Sequence, residues 1–66
     1  MDFTEKARIR LEHWIEHNHH HHEEYNEFAD QLEEAGKAES ARQIRDMTAH
    51  SERATACLQK ALEALD

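Results

Sequence analysis

A single glycine, Gly36, and no proline punctuate this 66-residue chain. Glycine and proline are the strongest breakers of regular structure, so their scarcity leaves room for long helices and almost no loop. A charged fraction of 35% fits solvated helix surfaces. Gly36 sits in Glu34-Ala35-Gly36-Lys37, and a glycine commonly follows a helix end because it adopts the left-handed conformation cheaply. Upstream, Asp2-Phe3-Thr4-Glu5 can cap a helix start, with Asp2 accepting from the first turn and Glu5 reaching back. These signals predict one all-α domain over residues 1–66, with a helix from about 3 to 35, a turn at 36–37 and a helix from about 38 to 65. So short a connection makes the two helices antiparallel neighbours, a helical hairpin.

The first helix carries a heptad-like seam of Ala7, Leu11, Trp14, Asn18, His21, Tyr25, Phe28, Leu32 and Ala35. Steps alternating between four and three keep such a stripe facing one partner. The second helix offers Ala41, Ile44, Thr48, Ser51, Thr55, Leu58, Leu62 and Leu65, widened by Met47, Ala54 and Ala61. Two rods touching along one line leave apolar edge in water, at Ile9, Ile15 and beside Trp14 and Phe28. The expected remedy is a homodimer of hairpins, a four-helix bundle or coiled-coil-like assembly. Both seams turn polar midway, at Asn18 and His21 and at Thr48, Ser51 and Thr55. A hairpin folded about Gly36 opposes residues whose numbers sum to about 73, which sets His21 near Ser51 and Asn18 near Thr55. A buried polar layer is costly unless every group is satisfied, so it either fixes register or serves a site.

Composition excludes several functions. Eight Lys and Arg against fifteen Asp and Glu give a formal net charge of −7, which disfavours nucleic acid and anionic membranes as partners and suits cations. The lone cysteine, Cys57, permits no intrachain disulfide. No apolar run could span a bilayer and the N-terminus carries no leader pattern, so the expected location is cytoplasmic. There is no phosphate loop and no nucleophile with a base and orienter, and the expectation is a protein that is not an enzyme.

Six of the seven histidines fall between His13 and His22. His13, His17 and His21 recur every four residues and form one stripe on a helix. Neutral imidazole is the commonest ligand for borderline transition metals, and an i, i+4 pair can aim two ring nitrogens at one ion. In the expected seam His21 faces the partner helix, His17 flanks it and His13 lies outside, so ligands from another helix or chain could complete the shell. A plain solvated face is the bland alternative. His19, His20 and His22 point in separate directions and are expected to be mostly exposed. His20, Glu24, His50 and Cys57 are candidate accessory ligands: His50 lies near Glu23 and Glu24 by the hairpin pairing, and Cys57 near His17. His50 also has Asp46 one turn before it. Glu16 and His19 match the Glu-x-x-His pattern of di-iron bundles, but Leu11, Trp14 and Ile15 crowd the region and argue against that chemistry. Imidazole ligation alone suits Ni(II), Zn(II), Cu(II) or Co(II).

The string His13-Trp14-x-x-His17-x-x-x-His21 resembles the signature of the CooJ-type nickel-binding accessory proteins of carbon monoxide dehydrogenase: His, then Trp or Phe, two residues, His, three residues, His. Tyr25 and Phe28 follow as apolar residues. The direct match covers nine residues. It implies a dimer with Ni(II) at the subunit interface on His13, His17 and His21, and a metallochaperone role in delivering nickel to the dehydrogenase or its maturation factors, or in nickel buffering. The founding type has a further histidine-rich C-terminal region, whereas this sequence runs through Leu62-Glu63-Ala64-Leu65 to Asp66, so a storage role resting on such a tail is not carried over. The rival readings are a structural or interaction hairpin, and a general transition-metal buffer or sensor.

Overall fold

The computed structural model describes residues 2–65 as two helices, α1 (Phe3–Glu34) and α2 (Ala38–Ala64). They pack against each other as a hairpin 51 Å long and 16 Å by 11 Å across. Asp2 caps α1 by accepting from the Glu5 backbone N–H at 2.9 Å, which satisfies one of the orphan donors of the first turn. At the other end the Lys37 N–H donates to the Leu32 carbonyl at 2.8 Å and the Gly36 N–H to the Glu33 carbonyl at 3.0 Å. That pair of bonds is a Schellman cap, and it needs a left-handed residue between them. Gly36 supplies it with φ of 79°. α2 starts without a side-chain cap at Lys37. Its first turn is held instead by Arg42 and Gln43 bonding to Glu39. Those two partners, Arg42 first, hold the Glu39 carboxyl below its usual value of 4.5.

The contact line of α2 follows the expected seam. Ala41, Thr48 and Thr55 are buried, and Ile44, Ser51, Leu58, Leu62 and Leu65 half-buried. On α1 the expected line is followed in part: Ala7, Leu11, Asn18, His21, Tyr25 and Leu32 are half-buried, but Trp14, Phe28 and Ala35 are exposed. The contact also takes in Ile15, His22 and Ala29, each one residue beyond Trp14, His21 and Phe28. Trp14 and Phe28 remain 46% and 51% exposed, whereas Ala29 and Ala41 are fully buried. The reason is steric: beside a three-residue turn the helix axes run close, and alanine admits that approach where an aromatic ring cannot. Bulk is displaced to the flank.

Two corrections follow for the histidines. His22, expected at the surface, is 7% exposed and shares a 2.8 Å hydrogen bond with Ser51. His21, expected to face the partner helix, lies at the edge of the contact with its side chain 39% exposed. The polar layer is otherwise present, with Asn18 Nδ2 donating to Thr55 Oγ1 at 3.3 Å. Thr48 and Thr55 turn their hydroxyls back onto the carbonyls of Ile44 and Ser51. Among the described residues no buried polar side-chain atom lacks a partner.

The heptad register divides the hairpin into two flanks. Arg45 bonds to Asp30 at 3.0 Å and Glu33 at 2.6 Å across one of them, and these carboxylates, Glu33 first, raise its pKa. Trp14, His21 and Phe28 lie on the other flank of α1, and the same register places Met47, Ala54 and Ala61 on the adjoining side of α2. Phe28 lines a surface groove there with Ser40 and Ile44. No helix among the described residues is long and apolar enough to cross a membrane.

Candidate metal centre

The histidine stripe is built by helix periodicity alone. Residues four apart project from successive turns of one face, and the rings of α1 stack along it. His13 and His17 lie parallel at 6.0 Å between centroids, and His17 and His21 meet edge to face at 4.3 Å. The stripe ends on Tyr25, whose ring lies parallel to His21 at 5.9 Å. His17 Nε2 and His21 Nε2 are 2.8 Å apart. Two nitrogens bound at about 2.05 Å to one ion and at right angles to each other stand about 2.9 Å apart, and a tetrahedral angle requires about 3.3 Å. The pair is therefore spaced for neighbouring positions in one coordination shell.

Glu24 sets the electrostatics of this end. Its Oε1 is 3.3 Å from His21 Nδ1 and 3.5 Å from His20 Nε2. A carboxylate beside Nδ1 favours the tautomer protonated there, which leaves the Nε2 lone pair free. In that tautomer the 2.8 Å contact is His17 Nε2–H donating to His21 Nε2. For both Nε2 lone pairs to meet one cation, the His17 proton would have to move to its own Nδ1, which keeps both imidazoles neutral.

The other candidates are scattered. His13, Glu16, His17 and His20 line a shallow surface cavity of about 300 Å³ one turn before the pair. His50 and Cys57 are exposed on α2. Glu16 and His19 are exposed. Among the described residues no group of three or more His, Cys, Asp or Glu side chains is placed to hold a metal ion. A single chain thus presents a preformed pair, with His13 one ring further along. His22 is the residue that sequence reasoning misplaced. Its signal was the pairing rule itself, since 22 and 51 sum to 73 and 21 and 51 do not.

Compared with known protein families, residues 7–65 match DUF8180, a domain of unknown function, and the chain belongs to that family. Neither a curated protein nor a solved structure matches it.

Proposed function

We propose that this member of the DUF8180 family is a nickel-binding accessory protein, which takes up Ni(II) as cargo on the histidine stripe of α1 and helps deliver it to a nickel enzyme. The observation that carries the reading is the His17–His21 pair, with its ring nitrogens at cis-ligand spacing. His13 is the next ligand along the stripe. Acidic surroundings raise the local concentration of divalent cations. The choice of nickel, and of carbon monoxide dehydrogenase as recipient, rests on the His-Trp-x-x-His-x-x-x-His resemblance.

The reading includes a homodimer. A compact monomer of this mass exposes about 4400 Å², whereas this chain exposes 5123 Å². Ala29 and Ala41 are its only buried apolar residues among those described. Trp14, Phe28 and Met47 share their flank with His21, so a second hairpin docked there would cover the rings and bring a second stripe to the first. The shell that one chain leaves open is then completed by the other.

Titration of Ni(II) into the wild type and the His17→Ala/His21→Ala double variant tests this reading. Loss of the tight site in the double variant is the expected outcome. Unchanged affinity would leave a structural or interaction hairpin as the better account.

A further inference from the structure

The flank opposite Trp14 and Phe28 holds a second group of ligating side chains that the stripe does not use. An open cavity of about 270 Å³ lies between the helices there, lined by His19 and His22 from α1 and by Glu52, Thr55 and Gln59 from α2. His19 and His22 stand three apart on one helix, their rings edge to face at 6.0 Å. Unlike the stripe, this group draws on both helices.

His22 has the attributes of a positioned ligand. It is more than nine-tenths buried, and Nε2 is tied to Ser51 Oγ at 2.8 Å. A histidine that ligates through one nitrogen usually commits the other to such a partner, which fixes ring and tautomer. Nδ1 makes no hydrogen bond to a described residue. His19 and Glu52 are exposed and form no hydrogen bond or ion pair with described residues. Both can therefore rotate without breaking a hydrogen bond or ion pair to a described residue, although His19 gives up its edge-to-face contact with His22. The three groups do not converge on one point, so closure requires rotation of these two surface side chains around the fixed imidazole.

We propose that His19, His22 and Glu52 form a second transition-metal site, which takes Zn(II) or a similar borderline divalent cation and bridges the two helices. Two imidazoles and a carboxylate make an N₂O donor set of the kind zinc accepts, with a fourth position left to water. Gln59 and Thr55 line the same cavity and offer hydrogen bonds to that water. Because its ligands come from both helices, the site stabilises the hairpin, and binding appears as a higher melting temperature.

The site is tested by Zn(II) alone on the full chain carrying His13→Ala, His17→Ala and His21→Ala, which removes the stripe whatever its role. One Zn(II) per chain and a rise in melting temperature by circular dichroism are expected. Adding Glu52→Gln or His19→Ala, both surface changes, should weaken binding at least about tenfold, the size of loss seen even when an outer partner is removed, and abolish the melting shift. Absence of Zn(II) binding in the triple variant overturns the proposal. So does binding that ignores both additional substitutions. Neither result bears on nickel at the stripe, which is read separately in the otherwise wild-type chain.

Discussion

If the His17–His21 pair binds nickel as proposed, Glu24→Gln separates an outer partner of the pair from a ligand. Glu24 Oε1 lies 3.3 Å from His21 Nδ1, on the side of the ring away from the Nε2 that faces His17. A carboxylate there stabilises the Nδ1–H tautomer and makes Nε2 a better donor. Removing such a partner typically costs 10- to 100-fold in metal affinity. The Glu24 side chain is 56% exposed, so water and salt screen its charge and the loss should sit at the lower end, about tenfold or 1.4 kcal/mol. Glutamine keeps the shape and an acceptor oxygen but not the charge, and the loss should therefore shrink as ionic strength rises. Competition with a chromophoric chelator for Ni(II) measures this directly, with Glu23→Gln as the neighbouring control. Two results refute the reasoning. Equal affinity in variant and wild type means that Glu24 does not act on His21. A loss as large as that of His21→Ala makes Glu24 a ligand in its own right.

Further outcomes can be measured without metal. Gly36→Ala meets open space, so its cost is that of a left-handed backbone alone, about 1 kcal/mol in urea denaturation; a neutral change would mean that the cap does not need this conformation. Thr55→Val strands the Asn18 amide and should cost about 1 kcal/mol, while Asn18→Leu/Thr55→Val together should recover most of it; a double-mutant cycle without coupling would refute the bond. Trp14→Ser or Phe28→Ser should weaken self-association at least about tenfold in analytical ultracentrifugation, and an unchanged sedimentation profile counts against docking on that flank. Because Arg42 and Gln43 lower the Glu39 pKa, this contact contributes stability above the ordinary carboxylate value and loses it as pH falls through the lowered one. The stability difference between wild type and Glu39→Gln should accordingly vanish in acid; a difference that persists there would assign it to something other than charge.

The fold was legible because punctuation was so sparse. Gly36 marked the turn, and Asp2 marked the first cap. On α2 the second line, through Met47, Ala54 and Ala61, is sparser than the first, so the seam could be read directly. On α1 two adjacent lines compete, one through Trp14, His21 and Phe28 and the other through Ile15, His22 and Ala29. Hydrophobic patterning favours the bulkier line, but contact between close-packed helices selects the smaller one. That choice is made by the separation of the axes, which no single helix encodes. The same one-residue offset exchanged the roles of His21 and His22. The spacing of His17 and His21 needed only helical periodicity, and so it survived the error.

The three-residue turn also sets the order in which the hairpin can close. Cross-helix partners separate steadily in sequence, from 12 residues for Arg45–Glu33 to 29 for His22–Ser51 and 37 for Asn18–Thr55. Closing the widest of these loops first costs about 1 kcal/mol more entropy than closing the narrowest. Once the inner contact exists, each later one adds only a few residues of slack. Folding should therefore run as a zipper from Gly36 outward, through the alanines and then the polar layer. Leu11 and Leu62 lie beyond that layer and come together last. A slipped pairing is met at His22 and Asn18, whose polar groups then find no partner, before the open end commits its leucines to the wrong register.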